Sequence, residues 1–311
     1  MSNGSAGATA YVSLATFAVP PGGKYPIFLA GIFVYLFCVL CNVTLLAAIA
    51  LRRHLHKPVY FILLSLPLND LMGVTAMLPK VLAGVVAESN RTPYPLCVLQ
   101  AFLLHLYGGG ILFILAAMAF DRYVAICMPL RYNTVMTPGV VVGVVTAVWT
   151  LDLVLITALF SLQSGLRRCR SDVANVFCDN PSLLKLMCGD TSVNNVVGLV
   201  STAVVQALSL SVQVFSYVKI LMACDATGRT EPRKKAVNTC VAQLLILIIF
   251  EIAGTFTILS HRFQNVSGDL QKAMGVLIFL ISPLLNPLVY GLYTSEIRNA
   301  LLVVLKKRVF V

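Results

Sequence analysis

Residues 116–132 read AAMAFDRYVAICMPLRY. An acid and a base, Asp121 and Arg122, stand side by side at the end of an apolar run that begins near Leu96. That run exceeds the roughly 20 residues a helix needs to cross the hydrocarbon core of a bilayer. A charged pair placed there marks the rim of a membrane span. The rest of the chain has the same character, with 59% hydrophobic and 11% charged residues, where soluble domains carry about 25% charged. Most of its surface therefore faces something other than water.

Seven apolar runs can be marked off, at about 27–51, 58–86, 96–127, 139–162, 192–223, 236–260 and 273–294. Pro67, Pro79, Pro283 and Pro287 fall inside them. Inside a helix bundle such prolines are tolerated, because neighbouring helices satisfy the carbonyls they free. Strands are excluded by pattern, since a membrane barrel alternates apolar and polar residues and these runs do not. The expectation is an all-α membrane protein, a seven-transmembrane helix bundle with a short amphipathic C-terminal helix. Residues 1–25 form a tail, 26–294 the transmembrane domain, and 295–311 a cytoplasmic helix and tail.

The net charge of +11 is spread in a telling way. Bases gather in short loops beside the runs: Arg52, Arg53 and Lys57; Arg229, Arg233, Lys234 and Lys235; Lys306, Lys307 and Arg308. This is the distribution of a multi-pass protein lying against an anionic cytoplasmic leaflet, not of a nucleic-acid binder. The opposite side carries Arg167, Arg168 and Arg170, accompanied by Asp172, Asp179 and Asp190. An extracellular N-terminus and a cytoplasmic C-terminus at the cell membrane follow. The opening MSNGSAGATAYVSLATF lacks the basic region of a cleavable signal, so the first run is expected to act as an uncleaved anchor.

The sequons at Asn3, Asn90 and Asn265 fall outside in this topology, while Asn42 sits within the first run. Of nine cysteines, Cys97, Cys169, Cys178 and Cys188 lie on the oxidising side. An even number there suggests two bridges, with three pairings open. Cys38, Cys41, Cys127, Cys224 and Cys240 lie in spans or at the inner face, where thiols stay reduced.

Three motifs stand on this scaffold. Asp121-Arg122-Tyr123 ends the third run, Asp70 is an ionisable group mid-span in the second, and Asn286-Pro287-Leu288-Val289-Tyr290 lies in the seventh. An ionisable residue at membrane depth is by default a functional hypothesis. Together the three resemble the rhodopsin-like G-protein-coupled receptors. MAFDRYVAICMPLRY, SYVKIL at 216–221, KAVNTC at 235–240 and LLNPLVYGL at 284–292 resemble, more closely, the odorant (olfactory) receptors. His261-Arg262-Phe263 is similar to their fish-like, class I branch.

That resemblance implies a receptor that binds a small water-soluble odorant in the outer half of the bundle and activates a heterotrimeric stimulatory (olfactory-type) G protein, raising cyclic AMP. It implies the pairings Cys97–Cys178 and Cys169–Cys188, the second folding residues 170–187 into a lid. It also implies a switch in which Asp121 holds Arg122 at rest, with Tyr123, Tyr217, Asn286, Pro287 and Tyr290 as its other parts. Where the family carries an acid one helical layer from Asp70, this chain has Ile111, which leaves at most a weak sodium site. Where the sixth helix of the family reads Phe-Tyr-Gly, here stands Phe250-Glu251-Ile252.

Candidate ligand contacts are His105, Gly108, Ser201, Glu251 and Arg262. Arginine's planar fork suits a carboxylate, so Arg262 would anchor an acidic group with His105 below it. Glu251 has apolar neighbours on both sides. It either hydrogen-bonds across the bundle as a structural group or holds a cationic ligand, with Gly108, Gly109 and Gly110 leaving room opposite.

Other readings are a non-olfactory chemosensory or hormone-like receptor of the rhodopsin family, or a small-solute transporter. A transporter would show paired repeats and interrupted half-helices, and none is visible. Residues 273–294 contain no lysine for a retinal Schiff base, and the four histidines (His54, His56, His105 and His261) are scattered. The chain is therefore expected to be no enzyme and to use no cofactor.

Overall fold

A computed structural model of the protein describes residues 10–87, 90–227, 231–260, 266–294 and 296–302. Nine helices are described: α1 (Lys24–Leu51), α2 (Pro58–Val86), α3 (Tyr94–Cys127), α4 (Tyr132–Val135), α5 (Pro138–Ser164), α6 (Asn180–Leu184), α7 (Ser192–Thr227), α8 (Glu231–Ser260) and α9 (Gly268–Tyr293). All but the short α4 and α6 match the seven apolar runs to within a few residues. Six are long and apolar enough to cross a membrane, and α8 holds a shorter apolar stretch, Leu244–Ser260. The chain is a multi-pass membrane protein built as a seven-helix bundle.

The spans present apolar side chains outward as well as inward. Phe33, Leu36, Val142, Val200 and Ile252 are all exposed, as a lipid-facing surface requires. Within the bundle α3 is the central column: 18 of its 34 residues are buried, against 5 of 28 in α1. Its middle, from Tyr107 to Met118, packs with Ile62, Leu66, Val205, Leu247, Phe250 and Tyr290 in one continuous core.

The prolines confirm why a bundle tolerates them. In α9 the carbonyl of Pro283 would accept from the amide of residue 287, but Pro287 has no N–H. The side-chain amide of Asn42 in α1 takes that place, donating to Pro283 O at 2.9 Å and to Cys38 O at 2.9 Å. Asn42 is fully buried, so its sequon serves as a helix clasp.

At one end of the bundle lies a feature absent from the expected topology. Residues β1 (Tyr11–Leu14), β2 (Arg91–Pro93) and β3 (Asp172–Val173) form a small sheet in the order β2-β1-β3. The pairing is antiparallel between β1 and β2 and parallel between β1 and β3. Val12 and Leu14 point inward onto Cys97, Cys178, Leu183 and Leu186, while Tyr11 is exposed, the alternation expected of a half-buried strand. The N-terminal segment is thus a structural layer across that end, and Lys272 fastens it further by donating to Thr16 O at 3.1 Å.

Both disulfides lie at this end, Cys97–Cys178 with Cα atoms 5.3 Å apart and Cys169–Cys188 with Cα atoms 5.4 Å apart. Gly189, directly after Cys188, has φ +82°, a left-handed turn open to glycine. At the opposite end, residues 296–302 form a short helix. Ile297 and Ala300 are buried in the main core and Arg298 and Asn299 are exposed, which makes it amphipathic as expected.

Candidate ligand cavity and coupling rim

A cavity of about 210 Å³ opens between α3, α5, α7, α8 and α9 near the disulfide end. A second, of about 300 Å³, lies beside it and shares His105, Leu159, Pro181, Thr202 and Ile258 with the first. The pair makes an outer vestibule and an inner chamber.

The roof comes from the disulfide-bound loop. Gln100 of α3 accepts from Cys178 N at 2.8 Å and donates to Ala76 O of α2 at 2.7 Å, locking the loop to two helices. Asp179 caps α6, accepting from Ser182 N at 2.8 Å and from Asn175 Nδ2 at 2.8 Å. Phe177 is 1% exposed and meets Phe279 edge to face. The floor is formed by Phe250 and Phe279, which are backed by the buried ring of Tyr107. Gly73 makes that position possible, since a Cβ there would overlap the ring.

Four of the expected ligand contacts, His105, Gly108, Ser201 and Glu251, line the inner chamber. His105 Nδ1 lies 3.1 Å from Ala101 O, and its ring packs on Phe160. Glu251 Oε2 accepts from Gln206 at 3.1 Å, while Oε1 is buried without a hydrogen-bond partner. Arg262, the expected acid anchor, lies outside the described residues, as do Asn3, Asn265, Arg229 and the basic tail residues.

The three glycines of α3 divide their roles. A Cβ on Gly108 would meet nothing within 4 Å, so Gly108 opens the chamber. A Cβ on Gly109 would overlap the carboxylate of Asp152, and one on Gly110 would press on Asn69. Those two make room for polar side chains of other spans. Asp152 itself was missed in the sequence, although a lone acid in the middle of the run at 139–162 is the very signal that singled out Asp70. It is fully buried and lines the chamber.

Asp70 sits deeper, fully buried. Ser282 donates to its Oδ1 at 2.6 Å and Asn286 to its Oδ2 at 2.9 Å. Both oxygens are engaged by α9, and Ile111 stands buried where a second acid was lacking. Among the described residues no group of three His, Cys, Asp or Glu gathers as a metal site. The arrangement is a hydrogen-bonded clasp between α2 and α9.

At the far end Asp121 is 1% exposed in its side chain, and Arg122 Nε lies 3.9 Å from its Oδ2. The closer partner is Tyr132 of α4, whose hydroxyl donates to Asp121 Oδ1 at 2.8 Å. Sequence reading had paired Asp121 with Arg122 alone, because the fold that brings a loop tyrosine back is not visible in the run. Tyr123 and Tyr217 pack beside Ile126 and Ile220. Tyr290 is buried, its hydroxyl 3.6 Å from Met118 Sδ. Lys57 and Tyr60 both donate to Glu296, at 2.7 and 3.1 Å, pinning the last short helix to α2. Burial pushes the Glu296 carboxyl upward, but the Lys57 bond and charge outweigh it and hold the group below its ordinary value.

Of the expected glycan acceptors, Asn90 is described, 8% exposed, with its Nδ2 3.4 Å from Ala15 O and against Gly84. A glycan there would have to displace the backbone that follows β1.

Comparison with known proteins agrees with this anatomy. The family model described as olfactory receptor matches residues 32–308. The chain is 34% identical to Olfactory receptor 52B2 of Homo sapiens, over 86% of this chain and 83% of that one. It is 34% identical to Olfactory receptor 8G17 of Mus musculus, over 90% of this chain and 92% of that one. It is 35% identical to Olfactory receptor 3A3 of Pan troglodytes, over 88% and 87%. A receptor and not an enzyme, the chain belongs to the olfactory receptor family.

Proposed function

We propose that this protein is an odorant receptor that takes a small molecule into the chamber beneath the Cys97–Cys178 loop and couples through the Asp121 end to a stimulatory, olfactory-type G protein. The observation that carries the reading is the separation of the two sites by one packed column. The chamber wall at Gly108, Gly109 and Leu112 and the rim at Asp121 are both on α3, and the residues between them are buried against α2, α7, α8 and α9. A ligand that favours one packing of that column is linked to any partner that favours the same packing.

In this reading the N-terminus and the disulfides are extracellular, the Asp121 end is cytoplasmic, and Asn3 and Asn265 are the glycan acceptors. Arg122 is the group released toward the G protein, with Tyr217, Asn286, Pro287 and Tyr290 as moving parts. The test is a cyclic AMP reporter in cells expressing the chain with an olfactory-type G protein, challenged with small odorants. Responses that vanish in Arg122→Ala at equal surface expression support it. A solute flux with no cyclic AMP response would overturn it.

A further inference from the structure

Asp152 is an acid whose side chain finds no partner in the described protein. It is fully buried, and neither Oδ1 nor Oδ2 has a hydrogen-bond partner. It lines the inner chamber. The polar atom nearest to it on α2 is an acceptor as well. Asn69 directs its amide nitrogen away, to Tyr107 O at 3.0 Å, which leaves Asn69 Oδ1 without a partner. That oxygen and Asp152 Oδ2 lie 2.6 and 3.4 Å from the same point, the place of a Cβ on Gly110. Across the chamber Glu251 Oε1 is also buried and unpartnered. No lysine or arginine lines the inner chamber among the described residues.

Buried acceptors without donors are costly, and carboxylates far more so unless a cation meets them. Two features show that this group is built in and not accidental. Gly109 clears the space its carboxylate fills, and Gly110 clears that of the neighbouring Asn69 oxygen. Trp149, one turn earlier on α5, is fixed by its Nε1–H on Ser65 Oγ at 3.2 Å, which holds that stretch of α5 against α2. A donor that carries positive charge would answer both oxygens.

We propose that the chamber recognises a protonated amine, its ammonium seated on Asp152 beside Asn69 Oδ1, and that Glu251 receives a second ammonium when the ligand is a diamine. The inference rests on the receptor reading above for its location in the chamber, but not on G-protein coupling. An ammonium brings three donors, enough to satisfy both Asp152 oxygens and Asn69 Oδ1. The apolar lining from Leu104, Leu112, Leu155, Ile156 and Val205 suits the hydrocarbon of such a ligand. This differs from the acid anchor that the sequence suggested at Arg262, since the described lining of the inner chamber offers two carboxyl groups and no lysine or arginine.

The test is the thermal unfolding of the full-length receptor in detergent, with straight-chain ligands of one length: a monoamine, a diamine, an alcohol and a carboxylic acid. The amines are expected to raise the unfolding temperature, the diamine most, and the acid to leave it unchanged. Asp152→Asn, which keeps shape and removes charge, is expected to weaken amine binding about 10- to 100-fold, the loss typical of a charged hydrogen bond. Glu251→Gln should abolish the preference for diamine over monoamine. The inference is overturned if no amine shifts the wild-type protein, or if Asp152→Asn binds amines as tightly as wild type. If Asp152→Asn does not fold, the wild-type series still decides, because an alcohol or acid matching the amines would overturn it. Amine binding without a cyclic AMP response would leave this inference standing and remove the coupling proposal instead.

Discussion

Replacing Tyr132 by Phe removes one hydroxyl and nothing else, which makes it a sharp probe of the coupling rim. That hydroxyl donates to Asp121 Oδ1 at 2.8 Å. The remaining contact of the carboxylate, to Arg122, is a long 3.9 Å. A hydrogen bond to a charged group contributes about 1.5–3 kcal/mol. If the bond exists in the resting packing and is lost when Arg122 is released, its removal shifts the active-to-resting ratio by about 10- to 150-fold at 1.4 kcal/mol per decade. That is an upper bound, because a bond kept in part in both packings shifts less. Basal cyclic AMP without ligand, normalised to surface expression, is therefore expected to rise in Tyr132→Phe, and Arg122→Ala in the same background to abolish it. Unchanged or lower basal signalling at equal surface expression would show that the Tyr132 bond does not distinguish the two packings.

Three further perturbations follow from the same geometry. Replacing Cys169 and Cys188 by Ser opens a loop with a sequence separation of 19 and is expected to cost about 3 kcal/mol in the chain-entropy view, read as a lower unfolding temperature in detergent; an unaltered transition would show that β3 and α6 hold the loop unaided. Gly73→Ala drives a methyl into the ring of Tyr107, itself fully buried, and should cost about 1–3 kcal/mol and weaken ligand responses, whereas wild-type stability would mean the chamber floor can shift. Asn90→Gln is expected to leave the electrophoretic mobility of the glycosylated protein unchanged, since its amide is buried against the backbone that follows β1; a mobility shift equal to the loss of one glycan would refute that placement.

The sequence alone determined the spans. Hydrocarbon tolerates few charges, so the boundaries of the runs are written in composition, and the seven long helices follow them closely. The disulfides were legible for a related reason, because four cysteines on one side need only a family resemblance to choose among three pairings. His105, Gly108, Ser201 and Glu251, which line the inner chamber, were legible as candidates because polar or missing side chains stand out in an apolar run. What the sequence could not decide is which helix each stray group faces. Helices that are apolar all round carry no periodic stripe to show their inward side. Asp152 stood out only as a lone acid in its run, and packing alone set it in the gap at Gly109. Tyr132 and Asn90 likewise have partners that the runs do not show, Asp121 and the backbone at Ala15. Burial and pairing arise between elements, and only the tertiary structure makes Asp152 an unpartnered carboxyl group in a chamber.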